Sequence, residues 1–255
     1  MELIDSHCHL YLPAFAGDIT EVMERARAAG VRRIYLPAID RESEVLLFSL
    51  ESRFPGECFA MQGLHPCSVK ADVEDELKRV ETSLASRKFA AVGEIGLDFY
   101  WDRSFETQQY RAFHQQIEWA LDYELPIVIH SRQSIHQTID VVRGHQQGKL
   151  HGIFHCFNED ETSAREIIEL GFYLGIGGTL TYKNSKLPGV IRNIPLENIV
   201  LETDAPYLPP VPHRGKRNES SYLALVASKL AEIKGIDVKE VAAVTTTNAL
   251  KIFAL

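Results

Sequence analysis

Eight short β-type runs, most of them separated by stretches of helical periodicity, constrain this sequence more than any other feature. The runs lie at Glu2–His9, Arg32–Ala38, Cys58–His65, Ala90–Leu97, Pro126–His130, Gly152–Cys156, Phe172–Gly177 and Ile199–Thr203. Between them, Ile19, Val22, Met23 and Ala26 repeat at the spacing of one helix face. Phe113, Ile117, Ala120 and Leu121 do the same in a helix that must end before Pro126. Ile135, Ile139 and Val142 mark another helix, and Leu223, Val226, Ala227 and Leu230 a later one. A final helix is expected from about Val238 to Phe253, and a short seventh one within Thr179–Pro195. Parallel strands need a crossover after each strand, so this alternation predicts a closed (β/α)₈ TIM barrel, a single α/β domain over residues 1–255. An open doubly wound sheet is the alternative. No Gly-x-Gly-x-x-Gly follows the first run, and the polar residues are spread over many runs, which disfavours it.

Composition narrows the class further. At 45% hydrophobic and 24% charged residues, the chain can bury a substantial core without cross-links. Its four cysteines form no C-x-x-C pair, so neither a zinc ribbon nor a redox motif is expected. No run approaches the roughly 18 apolar residues of a membrane span, and Glu2 and Asp5 stand where a signal peptide would be basic. A cytoplasmic protein with no membrane or obligate protein partner is the expectation. The net charge of −8 excludes sequence-blind nucleic-acid binding through a broad basic surface. It leaves room for a nucleic-acid enzyme in which bound cations and one basic loop hold phosphate.

Residues two apart on a strand share a face. In IDSHCHL, Asp5, His7 and His9 then project to one side and Cys8 to the other, where a small thiol packs against a helix. The same alternation pairs Glu94 with Gly96 and Asp98, His130 with Val128 and Arg132, His155 with Ile153 and Phe157, Asp204 with Glu202 and Val200, and His65 with Gly63 and Met61. Each falls at the carboxyl end of its run, where barrel enzymes build active sites. A lone histidine is ordinarily a satisfied core or surface residue, the reading given to His114, His136, His145 and His151. The four histidines His7, His9, His130 and His155 with Glu94 and Asp204 form a set instead, since buried charge is costly unless paired or metal-bound. Imidazole and carboxylate together suit Zn²⁺ or Mn²⁺ and tolerate Mg²⁺ or Ni²⁺. Six ligands exceed one open catalytic site, so two divalent ions sharing a carboxylate fit the count better.

HCH, GLHP, GEIGLDFY, IHSR, HCF and ETDAP, in this order, resemble the TatD family of metal-dependent hydrolases, and the motifs run from residue 5 to about 219. The resemblance implies a (β/α)₈ barrel with His7, His9, Glu94 and Asp204 on one metal. It places Glu94, His130 and His155 on the second, with Glu94 as the bridge. It also implies DNA or another phosphodiester as substrate, and Mg or Mn as the working metal. Two departures stand out. Ser220 replaces the proline of RGKRNEP, and Asn158 and Glu159 follow HCF where the family has Ser or Thr and Gly.

A metal-activated water attacking a phosphodiester is the leading expectation, with Asp204 taking the water's proton. Glu202 either orients a ligand or forms a structural salt bridge. His65 and Arg132 face the same mouth as phosphate contacts, Arg132 with a bidentate fork unless a neighbouring acid claims it. HRGKR, residues 213–217, is the dense basic cluster, either a solvated run or a phosphate clamp through Arg214, Lys216 and Arg217. Phe99, Tyr100, Trp101 and Tyr207 serve either as packing or as stacking surfaces for unpaired bases. Amidohydrolysis of a small cyclic amide or ester is the second expectation. Related barrels often bridge two metals with a carboxylated lysine, and no lysine lies within Phe89–Asp98. A barrel that binds metal without catalysis is the third, and it predicts a missing ligand that this chain does not show.

Overall fold

In the computed structural model, which describes residues 1–254, the strand–helix alternation forms two parallel sheets. The first holds β1 (Leu3–Asp5), β2 (Val31–Leu36) and β3 (Cys58–Ala60). The second holds β4 (Val92–Asp98), β5 (Ile127–Arg132), β6 (Gly152–Phe154), β7 (Phe172–Ile176) and β8 (Ile199–Leu201), in sequence order. Backbone hydrogen bonds join the sheets at both seams. At one, Gln62 bridges Val92 and its carbonyl accepts from Gly93 N at 3.0 Å. At the other, Ser6 N donates to Leu201 O at 3.0 Å. The eight strands therefore form a ring.

Helices cross over between the strands: α1 (Ile19–Ala28), α2 (Arg41–Arg53), α3 (Val73–Ser86), α4 (Glu106–Asp122), α5 (Ile135–His145), α6 (Glu161–Glu169), the short α7 (Leu187–Asn193), α8 (Leu223–Lys234) and α9 (Val238–Ile252). Their starts follow local chemistry. Asp40 and Asp160 accept the amides of Ser43 and Ser163, the N-cap bonds that satisfy orphan donors of the first turn. All seven residues of β4 are buried, as expected of a parallel strand with helices outside and a packed interior.

The interior is filled in layers. Ile4, Tyr35, Met61, Val128, Ile153 and Val200 make one apolar layer, and Ala249, Ile252 and Phe253 at the end of α9 pack beneath it. The Phe253 ring stacks on Tyr35 at 3.8 Å, plugging the amino-terminal end. Glu202 and Asp204 follow directly beyond the end of β8, so the chain passes from core to site within a few residues.

Four strands are shorter than their sequence patterns suggest. β1 stops at Asp5 rather than His9, β3 at Ala60, β6 at Phe154 and β8 at Leu201. The chain leaves the ladder there to turn polar side chains inward. Cys156 and Asp204 adopt positive φ of 50° and 55°, a left-handed conformation that ends regular pairing. The bend at His7 also breaks the alternation. Asp5 does not join His7 and His9. It turns toward Thr203 and Ser220, beside Cys8.

Candidate metal centre

Glu94 is the hub. It sits on β4 at a register shift between Gly93 and Ile95, 2% exposed, and each of its oxygens faces a different group of imidazoles. Oε2 lies 3.2 Å from His7 Nε2 and 3.6 Å from His9 Nε2, and Asp204 Oδ1 is 3.7 Å and 3.5 Å from the same two nitrogens. Oε1 lies 2.9 Å from His130 Nδ1, 2.9 Å from His155 Nε2 and 3.3 Å from His65 Nε2. All six expected ligands converge, and they divide around the two Glu94 oxygens.

The far nitrogens show which histidines present a lone pair. Tyr11 donates its hydroxyl to Pro37 O at 2.6 Å, so its oxygen accepts from His9 Nδ1–H at 3.0 Å and leaves Nε2 free to ligate. His130 donates Nε2–H to Asp98 Oδ2 at 2.8 Å, which leaves Nδ1 toward Glu94. His155 Nδ1 faces Glu202 Oε1 at 3.4 Å, an ion-pair separation rather than a well-aligned hydrogen bond, which leaves Nε2 inward. A partner that fixes the tautomer from behind is the usual setting of a metal-bound histidine. His65 is the reverse case. Its Nδ1 accepts from Cys67 N at 3.0 Å, so in the neutral ring the proton sits on Nε2, aimed at the site. In that tautomer His65 presents an N–H, not a lone pair, toward Glu94 Oε1.

Glycine makes room for part of this shell. A Cβ on Gly175 would collide with Glu202 Oε2, so any larger residue would push that carboxylate off His155. Asp5, fully buried, accepts from Thr203 N at 2.9 Å, Thr203 Oγ1 at 2.6 Å and Ser220 Oγ at 2.6 Å. These bonds hold the turn in which Asp204 takes its left-handed backbone, so Ser220, the departure from the family pattern, is spent inside the scaffold. Asn158, the other departure, folds back on Cys156 O at 2.8 Å and is exposed.

The electrostatics favour cations. Burial alone would raise the Glu94 carboxyl. The imidazoles of His155, His65 and His7 and the His130 bond outweigh it, and hold Glu94 well below the usual carboxylate range. Asp204 is lowered against burial in the same way, chiefly by His9 and His155. Burial, then neighbouring His155, pushes His7 down, while burial of His155 is overcome by Glu94 and Glu202, which raise it well above a free imidazole.

A divalent ion fits these residues. Ligands about 2.1 Å from a common ion stand about 3.0–3.4 Å apart, close to the 2.9–3.7 Å separations around Glu94. His7 is completely buried, and neither ring nitrogen has a hydrogen-bond partner, an expensive state that a cation at Nε2 relieves.

Arg132 and the basic loop lie outside this cluster. Arg132 has no carboxylate within ion-pair distance among the described residues and lies over the rings of Tyr100 and Trp101, so the acid-pairing alternative does not hold. Arg214 sits over Tyr182, and Lys216 is exposed. Arg217 differs: its two terminal nitrogens bind Asp18 Oδ1 and Oδ2, each at 2.7 Å, and it covers Phe15. That bidentate pairing removes it from the expected phosphate clamp. Two partners escaped the sequence reading, Asp98 behind His130 and Tyr11 behind His9. Both were signalled by spacing, since Asp98 alternates with Glu94 and Tyr11 stands two beyond His9.

Histidine and carboxylate ligands gathered at the carboxyl ends of a parallel ring define a metal-dependent hydrolase. The chain belongs to the TatD-related DNase family, whose model matches residues 4–254. It is 37% identical over 254 residues to the metal-dependent hydrolase YabD of Bacillus subtilis, covering 99% of each chain. It is 33% identical over 259 residues to the metal-dependent hydrolase YcfH of Escherichia coli, covering 99% of this chain and 96% of that one. The crystal structure of YjjV, a TatD homologue from Escherichia coli, superposes with a TM-score of 0.92 at 33% identity, over 99% of this chain and 98% of the other. No helix among the described residues is long and apolar enough to cross a membrane.

Proposed function

We propose that this protein is a divalent-metal-dependent phosphodiesterase that cleaves DNA, with two ions sharing Glu94. The observation that carries the reading is the division of the imidazoles between the two Glu94 oxygens, which supports a carboxylate as the group two ions would share. When bound, divalent ions supply a water of lowered pKa and offset charge on phosphoryl oxygens. The chain's own groups do the rest. Asp204 is 14% exposed against 2% for Glu94, so Asp204 is the carboxylate that meets the reacting water and takes its proton. His65 presents Nε2–H to a phosphoryl oxygen, and Arg132 adds a charged fork at the mouth. Arg214 and Lys216 serve a longer strand at the rim. Mg or Mn is the working pair, and Zn or Ni also suits the donor set.

The test is hydrolysis of single-stranded DNA, duplex DNA, a small phosphodiester and a cyclic amide by protein reconstituted with each metal, alongside elemental analysis. DNA cleavage with two ions per chain is expected. Turnover of the amide alone would transfer the protein to the amidohydrolase branch. A single ion at full loading would remove the bridging role of Glu94.

A further inference from the structure

We propose that Tyr100, Trp101 and Arg132 form a subsite for one unpaired nucleobase and its phosphate, immediately beside the metal centre. The proposal rests on the phosphodiesterase reading above and adds the residues that hold the nucleotide next to the scissile bond. Trp101 is 67% exposed and Tyr100 47%, whereas Phe99 next to them is 7% exposed and the chain's other tryptophan, Trp119, is buried. Phe99 therefore does the packing, and its two neighbours are left in water with their rings 4.8 Å apart.

Arg132 explains the pair. Its guanidinium lies 3.9 Å from the Tyr100 centroid and 5.2 Å from that of Trp101, held by cation–π attraction. A guanidinium seated by its face keeps its N–H edges available, and no carboxylate among the described residues claims them. Rings that accept a base and an edge that accepts a phosphate are the two features of a single-strand subsite. A paired base has its faces covered by neighbours in the stack and cannot use such a platform without being drawn out.

The platform is fixed to the ligands. Asp98 Oδ1 accepts the amides of Tyr100 and Trp101 at 2.9 and 3.1 Å, while Oδ2 of the same carboxylate accepts the hydrogen bond from His130 Nε2–H. Arg132 lies two residues beyond His130 on β5 and pairs with Asp98 across the sheet. Two residues along a strand span about 6.6 Å, the reach of a single nucleotide. One carboxylate thus sets the distance between the scissile site and the neighbouring base.

The experiment uses metal-reconstituted protein, a single-stranded DNA tetranucleotide, the same tetranucleotide with one abasic sugar moved along it, and bis(4-nitrophenyl) phosphate. Trp101→Ala should lose about tenfold more in kcat/KM on the tetranucleotide than on the small diester, mainly through KM. Trp101→Phe should recover most of that loss. An abasic sugar at one position should weaken the wild-type protein by a similar factor and have little added effect in Trp101→Ala. Equal losses on both substrates, or indifference to every abasic position, would overturn the subsite. Binding is read separately by quenching of tryptophan fluorescence. Saturable quenching that disappears in Trp101→Ala, without cleavage of any diester, would sustain the subsite and sink the phosphodiesterase reading. Cleavage without quenching would do the opposite.

Discussion

Five side chains from four strand ends gather around one carboxylate, Glu94, whereas the five consecutive residues His213 to Arg217 disperse. In the first region, sequence separation is as large as 197 residues between His7 and Asp204, yet the nitrogens and oxygens lie within 3.7 Å. In the second, adjacent basic side chains go separate ways: Arg214 to Tyr182, Arg217 to Asp18 and Phe15, Lys216 to solvent, while the His213 ring stacks on Tyr222 at 3.9 Å. A barrel brings all its carboxyl strand ends to one place, so residues at those ends share a fate. A contiguous charged run has no such geometry, and each cation takes the nearest partner.

The sharpest way to break this contrast is to remove the hub. Glu94→Gln keeps the shape but removes the negative charge that both groups of imidazoles share. Hydrolysis should fall on the order of 10³-fold or more, while circular dichroism shows an intact fold. A variant that kept activity would mean that convergence at Glu94 is scaffold and not chemistry.

Metal removal tests the same hub from the other side. Chelation should abolish turnover and lower the melting temperature, since each ion bound only by the folded state contributes about 2.7 kcal/mol at a hundredfold excess over its Kd. Because Glu94 and Glu202 raise His155 against its burial, metal loading has to displace protons. Loading followed in a pH-stat should release acid, and apparent metal affinity should weaken as pH falls below neutrality. Loading without proton release would mean that Glu94 and Glu202 do not hold a proton on His155 before the metal arrives.

Those partners mark where the sequence became hard to read. Eight runs, their order and the six residues that meet at the Glu94 hub were legible, because strand alternation and a helix after each strand are local patterns. Asp5 was placed with His7 and His9 by alternation, but the bend at His7 sends it to Thr203 and Ser220, a change no period-two pattern records. Asp98 and Tyr11 stood in the right alternation, yet their role depends on which ring nitrogen they meet. Arg217 is lost from the clamp through Asp18, a partner 199 residues away that only the closed fold brings near.

Asp98→Asn and Glu202→Gln sharpen the comparison at an intermediate level. Each removes the group that fixes a ligand from behind, and each should weaken metal affinity about 10- to 100-fold, read by competition with a chromophoric chelator. Gly175→Ala should resemble Glu202→Gln, because its Cβ would displace the Glu202 carboxylate. Cys8→Ser should leave metal content intact, since the thiol packs away from the ligands beside Ser220.

The smallest effect belongs to Arg217, and it decides how the basic loop is to be read. Arg217→Ala should leave turnover and the salt dependence of DNA binding unchanged, because its guanidinium already serves Asp18. Arg214→Ala with Lys216→Ala should instead flatten the fall of affinity with salt, by up to about one slope unit for each phosphate the loop no longer neutralises. The cost of Arg217→Ala should appear as stability, below about 1 kcal/mol because the pair is partly exposed and screened by solvent. Its pH dependence has a definite sign. Arg217 first, and Arg25 after it, depress Asp18 from 3.8 to about 2, so the Arg217 share of the stabilisation is present above pH 4 and is lost as pH falls through 2. Thermal melts of wild type and Arg217→Ala should therefore differ near neutrality and converge in acid. If the melts coincide at every pH while the salt slope drops, Arg217 leaves Asp18 for DNA, and the loop acts as one clamp after all.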